Sequence, residues 1–179
     1  MLEIRDVALE LFEAGGYEHT TVGAIAERAG VSRRTFFRYY PSKADVLFAG
    51  HEAGIASLRD ELAARRELPL SEAWPPSLRA LAFGTLRGKR AETLSRLIES
   101  QPEVRQRNLD LAQDVEAALA EDLLARDADP ASAAMAAAAF TGAMRAGQRE
   151  VRDGHIAVED VLRRSLQVAH AALAGAEWS

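Results

Sequence analysis

The chain has 179 residues, of which 48% are hydrophobic and 27% charged, and its formal net charge is −5 at pH 7. This length and hydrophobic content suffice for one or two small domains with an apolar core. The absence of cysteine excludes disulfides and thiolate metal ligands. No stretch approaches the roughly 18 uninterrupted apolar residues that a membrane span requires. The N-terminal segment has the pattern of an amphipathic helix and not of a signal peptide, so we expect a soluble, cytoplasmic protein.

The first predicted helix starts near the N-terminus. Its apolar residues recur at helical spacing, and Gly15 and Gly16 end the pattern. The apolar positions are Ile4, Val7, Ala8, Leu11 and Phe12. We expect this helix to pack beneath the helices that follow it, with Tyr17 anchoring the next loop.

Two short helices joined by a glycine turn follow. Thr21 is a suitable N-cap for a helix whose apolar residues share one face: Val22, Ile25, Ala26 and Ala29. Gly30 breaks that helix, because glycine adopts a left-handed backbone conformation at little cost. Ser32 then caps a second helix over residues 33–39. This arrangement predicts a helix-turn-helix.

The second of these helices has the composition of a DNA-reading helix. Phe36 and Tyr40 are expected to point inward, which leaves the following side chains outside: Arg33, Arg34, Thr35, Phe37, Arg38 and Tyr39. Between Arg28 and Lys43 lie several basic residues and no acidic one, although the whole chain is acidic. Only the docking face of a DNA-binding protein needs to be positive. A solvated helix face is the alternative, but the turn, the caps and the aromatic-basic mixture together favour DNA binding.

Residues 2–50 resemble the N-terminal domain of the TetR/AcrR family of one-component transcriptional regulators. The resemblance is carried by ALELFEAGGYEHTTV and IAERAGVSRRTFFRYYPSKADVL. It implies phosphate contacts by Thr20, Thr21, Tyr39 and Lys43, major-groove contacts by Arg33, Arg34, Thr35 and Phe37, and a phosphate or solvent position for Arg38. An arginine in the groove can bind guanine bidentately. Many relatives have tyrosine where this chain has Phe37, so an apolar base contact, for example with a thymine methyl, is expected there.

The rest of the chain is predicted to be helical, giving an all-α fold of about nine helices. One long helix is expected over residues 44–66, where it connects the two parts of the protein. A proline-containing linker follows over residues 67–76. Further helices are expected over residues 77–86, 91–100, from Pro102, and over about 130–153 and 158–174.

We divide the chain into a helix-turn-helix DNA-binding domain, residues 1–46, and a ligand-binding and dimerisation domain, residues 47–179. The resemblance implies a homodimer through the last two helices, about 130–153 and 158–174, and the wide apolar surface of the last helix also requires cover. It further implies a small-molecule inducer in a cavity. The candidate lining residues, each of which could equally be plain core, are Phe83, Thr85, Asn108, Leu111, Phe140 and Met144. A hydrophobic ligand is expected, either acyl-CoA-like or a multidrug-type lipophile.

No catalytic constellation accompanies these features. The histidines are scattered without metal-binding spacing, at His19, His51, His155 and His170. The sequence has no phosphate-cradling glycine loop and no nucleophile elbow. We therefore expect no enzymatic activity, metal or cofactor. The predicted function is that of a homodimeric repressor released from a palindromic operator by a ligand. Two alternatives stay open: an activator of the same family, and a helical ligand-binding dimer with little sequence-specific DNA binding.

Overall fold

The computed structural model describes residues 4–74, 78 and 89–174. Within these residues the chain forms α-helices and one short 3-10 helix, and no strand, which confirms the all-α prediction. The helices are α1 (Ile4–Gly15), α2 (Val22–Arg28), α3 (Arg33–Tyr39), the 3-10 helix (Asp45–Phe48), α4 (His51–Ala64), α5 (Leu70–Ala73), α6 (Lys89–Ser100), α7 (Pro102–Leu124), α8 (Pro130–Arg152) and α9 (Val158–Ala174). Apart from Leu78, the helix predicted over residues 77–86 lies outside the described residues.

The chain divides into two compact units. Among the described residues, the first unit holds 4–51 and 89–110, and the second holds 52–74, 78 and 111–174. Helix α7 therefore contributes residues to both units. The functional boundary predicted between residues 46 and 47 stays a prediction.

The core of the first unit is built around α1. Val7 and Leu9 are fully buried, and the predicted anchor Tyr17 is buried as well. Leu9 falls outside the predicted apolar stripe of α1 and is covered because α6 also packs against this helix. A partly buried hydrogen bond joins the two helices, in which the hydroxyl of the buried Thr93 donates to Glu13 Oε1 at 2.8 Å. The core of the unit that contains the helix-turn-helix therefore includes α6, which the N-terminal pattern alone does not predict.

The prediction of one continuous helix over residues 44–66 is wrong. The 3-10 helix ends at Phe48, and Gly50 interrupts the chain with φ +85° before α4 begins. A right-handed helix cannot continue through a residue whose φ is positive. Glycine adopts positive φ values without steric cost. Ser42 closes the turn before the 3-10 helix, because its hydroxyl accepts from the backbone N–H groups of Ala44 and Asp45 at 3.2 and 3.3 Å.

The prediction of a linker over residues 67–76 is also wrong for the described part of this segment, residues 67–74. Helix α5 lies within this segment, and Ala73 and Trp74 are fully buried in the core of the second unit. Pro69 precedes the first residue of α5, where the missing N–H costs no helical hydrogen bond. Pro69 therefore precedes a packed helical turn instead of marking a solvated connection.

A buried polar cluster joins three segments of the second unit. Trp74 Nε1 donates to Asp122 Oδ2 at 2.9 Å, and Arg126 Nε donates to the same oxygen at 2.9 Å. Arg126 also donates to backbone carbonyl oxygens, those of Arg65, Arg66 and Leu68. All three residues lie beyond the last residue of α4, and the Arg65 carbonyl also accepts from the Leu68 N–H at 3.0 Å, so Arg126 adds hydrogen bonds to the turn that follows α4.

The last two helices pack tightly against each other. Their bounds agree with the predictions, and Asp129 caps α8 by accepting from the N–H groups of Ala131 and Ser132. A Cβ atom added to Gly147 would lie 2.4 Å from Val161 Cγ1, so the absent side chain permits the close approach. In the described part of the chain, no helix combines the length and apolarity needed to span a bilayer.

Candidate nucleic-acid interface

The turn between α2 and α3 forms as its sequence predicts. Thr21 Oγ1 accepts from the Ala24 N–H at 3.1 Å, which caps the start of α2. At the other end, Gly30 has φ +71°, and its N–H donates to Glu27 O at 3.1 Å. The next N–H, that of Val31, donates to Ala26 O at 2.9 Å. This pair of bonds is a Schellman motif, which ends α2 and directs the chain into α3.

Helix α3 is fixed by its two ends and by one side chain. Ser32 Oγ accepts from the Thr35 N–H at 3.0 Å and forms the N-cap. Phe36 is fully buried in the core of the first unit, and the half-buried Tyr40 packs against it with ring centroids 5.4 Å apart. The inward orientation predicted for these two aromatic residues is confirmed. Their packing determines which way the remaining side chains of α3 point.

The outer face of α3 is basic and aromatic. Arg33, Arg34 and Arg38 are exposed, as is 47% of Phe37 and 61% of Tyr39. Thr35 is half-buried, and its hydroxyl lies 2.9 Å from Ser32 Oγ. Four of these side chains border a surface depression of about 380 Å³: Arg34, Thr35, Phe37 and Arg38. Five of the six residues predicted to point outward are thus exposed on one short helix, and Thr35 is half-buried.

Arg38 and Tyr39 contact each other at the end of α3. Arg38 Nη2 donates to the Tyr39 hydroxyl at 2.9 Å, and Arg38 Cζ lies 4.7 Å from the centroid of the Tyr39 ring. A guanidinium near an aromatic ring gains a cation–π attraction, which at an exposed site is about 0.5–1 kcal/mol. The contact orients both side chains towards the same side of α3.

The two threonines before α2 have different environments. Thr21 is exposed, and its capping oxygen keeps the hydroxyl proton free to donate. Thr20 is buried, and its hydroxyl donates to Gly16 O at 2.8 Å. The Thr20 N–H donates to Tyr17 O at 3.3 Å. Both hydrogen-bond donors of Thr20 are therefore used within the protein.

Lys43 lies against Tyr17. Its Nζ donates to Tyr17 O at 2.9 Å and lies 4.1 Å from the centroid of the Tyr17 ring. Burial raises the pKa of the Tyr17 hydroxyl above its ordinary value, and the nearby carboxylate of Glu103 raises it further. Tyr17 is therefore neutral at physiological pH. An ammonium group retains two further protons in this arrangement, which are available to an anion.

The candidate ligand-binding residues lie in varied places. Phe140 and Met144 are buried in the core of the second unit, where the Phe140 ring contacts Trp74 at a centroid distance of 5.1 Å. Leu111 is buried, and Asn108 is half-buried. Phe83 and Thr85 lie outside the described residues. Among the residues that are described, no group of His, Cys, Asp and Glu side chains could hold a metal ion.

Two capped helices around a glycine turn, the second with an exposed basic and aromatic face, define a helix-turn-helix DNA-binding domain. Residues 4–49 match the family model described as bacterial regulatory proteins, tetR family. The chain belongs to the TetR family of transcriptional regulators, as its sequence pattern predicts.

Curated relatives agree with this assignment. The chain is 38% identical over 128 residues to the transcriptional regulator TcmR of Streptomyces glaucescens, a match that covers 67% of this chain and 57% of TcmR. It is 44% identical over 68 residues to the putative mycofactocin biosynthesis regulator MftR of Mycobacterium tuberculosis, which covers 36% of this chain and 34% of MftR. The matches thus span between about a third and somewhat over half of these relatives.

The fold has a counterpart among solved structures. The crystal structure of Thermus thermophilus FadR, a TetR family repressor in complex with lauroyl-CoA, aligns with a TM-score of 0.59 at 24% identity. The alignment covers 96% of this chain and 93% of FadR. At this identity the likeness shows the shared fold. These relatives are named as transcriptional regulators or repressors and not as enzymes.

Proposed function

We propose that this protein is a sequence-specific repressor that binds a palindromic operator as a homodimer and is released by a small molecule. The outer face of α3 carries the proposal. Arg33, Arg34 and Phe37 stand out from a short helix whose opposite face is fixed by the buried Phe36. A helix held in this way can enter the major groove, which is wide enough to admit it.

Base reading and phosphate contact are divided among the exposed residues. Arg33 and Arg34 are proposed to read guanine, with Thr35 and Phe37 beside them in the groove. Tyr39 and Lys43 are proposed to contact phosphates, and Arg38 joins Tyr39 because the two are already hydrogen-bonded. Of the two threonines, Thr21 is proposed to make the phosphate contact, because both donors of Thr20 are used within the protein.

The proposed dimer uses α8 and α9. A groove of about 630 Å³ runs along these two helices, and it is lined chiefly by small or apolar residues: Ala143, Ala146, Gly147, Ile156, Val161 and Val168. Val168 is 45% exposed, and within the described part of the chain the buried Ser165 hydroxyl in the groove has no hydrogen-bond partner. A second copy of the chain would cover this surface. Two such copies present two α3 helices, as a palindromic operator requires.

Release by a ligand is proposed as a two-state linkage. A molecule that binds better to a form unable to hold both α3 helices on DNA shifts the population to that form. Coupling of about 1–3 kcal/mol weakens DNA binding from several-fold to about a hundredfold. The proposed cavity involves Leu111, Phe140 and Met144 within the ligand-binding and dimerisation domain, residues 47–179. The lauroyl-CoA held by FadR supports testing an acyl-CoA, and a multidrug-type lipophile is the second candidate.

Selection of bound DNA tests the proposal. The full-length protein is incubated with a pool of random duplexes and with genomic fragments from its source, and the retained DNA is sequenced. We expect a palindromic site whose half-sites lie about 34–36 Å apart, or a multiple of that spacing. Uniform retention of all duplexes would contradict the proposal and favour a helical dimer without operator specificity.

Reporter expression separates a repressor from an activator. The selected site is placed at a promoter and expression is compared with and without the gene. A repressor lowers expression, and an added inducer restores it. Higher expression in the presence of the gene would identify an activator.

A further inference from the structure

We propose that Arg107, on α7, is a positioning residue for DNA binding, because it fixes the turn that carries Lys43. The inference rests on the proposed function, in which Lys43 contacts a phosphate. It adds a residue far along the sequence from the helix-turn-helix, and its basis is the set of contacts that the first unit makes around this turn.

The turn is closed by Ser42 and Asp45. The Ser42 N–H and the Ser42 hydroxyl both donate to Asp45 Oδ2, at 2.9 and 2.8 Å. Lys43 lies between these two residues, so its backbone is held by the bonds that close the turn. Both of these hydrogen bonds end on Oδ2 of Asp45, so the other carboxylate oxygen, Oδ1, remains available to a different partner.

Arg107 pairs with that second oxygen. Arg107 Nε lies 2.7 Å from Asp45 Oδ1, and the side chains of Asp45 and Arg107 are 15% and 32% exposed. A partly buried ion pair of this kind is screened less by salt than a surface pair. Because Asp45 is hydrogen-bonded to Ser42 through one oxygen and ion-paired with Arg107 through the other, the position of the turn depends on α7.

Helix α7 also approaches the other support of Lys43. The Tyr17 ring and carbonyl hold Lys43 Nζ, and the carboxylate of Glu103 on α7 contributes to the raised pKa of the Tyr17 hydroxyl. Glu103 and Arg107 are four residues apart, which places them on the same face of a helix. Between them Val104 is fully buried in the core that contains Tyr17 and Val46. One face of α7 therefore pairs with Asp45 through Arg107 and shares, through Val104, the core that holds Tyr17.

A double-mutant cycle of K43Q and R107Q tests this positioning role. Affinity of the full-length variants is measured by fluorescence anisotropy, over a series of salt concentrations, with a labelled duplex recovered by wild-type protein from the random pool. K43Q is expected to lower the slope of log affinity against log salt by about 0.9, the value for one phosphate contact. R107Q is expected to weaken binding about threefold in the wild-type background and less than about 1.5-fold in the K43Q background.

Two further variants complete the experiment. R107K retains a cation within reach of Asp45 and is expected to recover affinity to within about twofold of wild type. R105Q removes the same charge from the same helix, at an exposed residue that donates to the carbonyl oxygens of Ile98 and Glu99. We expect R105Q to leave DNA affinity unchanged, and circular dichroism establishes that each variant is folded at the assay temperature.

Three results would overturn the inference. If R107Q weakens binding equally in both backgrounds and lowers the salt slope a second time, Arg107 contacts a phosphate itself. If R107Q changes only the unfolding temperature, the ion pair is structural. If R105Q weakens binding as much as R107Q, the effect comes from net charge. Failure of the proposed function is a separate outcome, because in that case wild-type protein recovers no preferred duplex and K43Q changes nothing.

Discussion

Adjacent phenylalanines of α3 have different tasks. Phe36 is fully buried and Phe37 is 47% exposed. We expect F36A to lower the free energy of unfolding by about 3–5 kcal/mol, since it removes a large core side chain. F37A is expected to change it by less than about 0.5 kcal/mol, as is usual for surface substitutions. Urea denaturation measures both values, and equal losses would contradict the orientation of α3.

The buried cluster around Arg126 gives a second residue-scale prediction. R126A leaves the Asp122 carboxylate without its ion pair and opens several backbone carbonyl groups. Removal of one partner of a buried pair typically costs about 3–5 kcal/mol. Arg163, whose pair with Asp160 is exposed, provides the control, and R163A is expected to cost less than about 1 kcal/mol. Similar unfolding free energies for the two variants would show that the cluster is not a buried pair.

The residues that the sequence identifies correctly are those whose role is local. Thr21, Gly30 and Ser32 act on backbone groups within three to five positions, so their types and spacing predict the turn. Asp122 and Arg107 could not be found in this way. Each is one acidic or basic residue among many, and its partner lies 48 or 62 positions away, at Trp74 and Asp45.

At the scale of elements, the break before α4 shows what periodicity misses. Apolar residues on both sides of Gly50 keep helical spacing, namely Val46, Leu47, Ile55, Leu58 and Leu62, so a continuous helix is the natural prediction. The spacing of buried residues does not report the φ angle of the residue between them. Similarly, the three prolines in the sequence of residues 67–76 favour a linker, and no local pattern there reports that Trp74 is buried.

Replacement of Gly50 tests the break through the sign of its effect. G50A places alanine at φ +85°, and among the described residues none other than its two chain neighbours has an atom within 4 Å of the new Cβ, so the main effect is backbone strain. We expect the free energy of unfolding to fall by about 1–2 kcal/mol. In a continuous helix the same change would raise it by up to about 1 kcal/mol.

Gly23 in α2 supplies the matched control for Gly50. A Cβ added there makes ordinary contacts, 3.6 Å to Thr21 Oγ1 and 3.8 Å to Arg33 Cδ. G23A is therefore expected to stabilise the protein by up to about 1 kcal/mol. Thermal unfolding followed by circular dichroism compares the two variants. If both substitutions stabilise the protein, the chain forms one continuous helix through Gly50, contrary to the break described above.

At the scale of the whole molecule, the proposed dimer predicts a position-dependent effect on α9. V168D places a charge in the groove along α8 and α9, whereas H170D changes an exposed residue outside the groove lining. Sedimentation velocity is expected to show a dimer for wild type and H170D and a monomer for V168D, because an unpaired charge cannot be buried cheaply. A wild-type monomer, or an unchanged V168D dimer, would contradict this interface.

The most direct test of the central claim is the affinity ratio between the selected duplex and a mixed-sequence duplex, measured for wild type and for the R33A/R34A double variant. If α3 reads bases, each lost bidentate contact costs about 1–3 kcal/mol on the selected duplex and little on the other. We therefore predict that the ratio collapses in the double variant while the protein remains folded. A ratio that stays at the wild-type value would show that these arginines do not read DNA sequence.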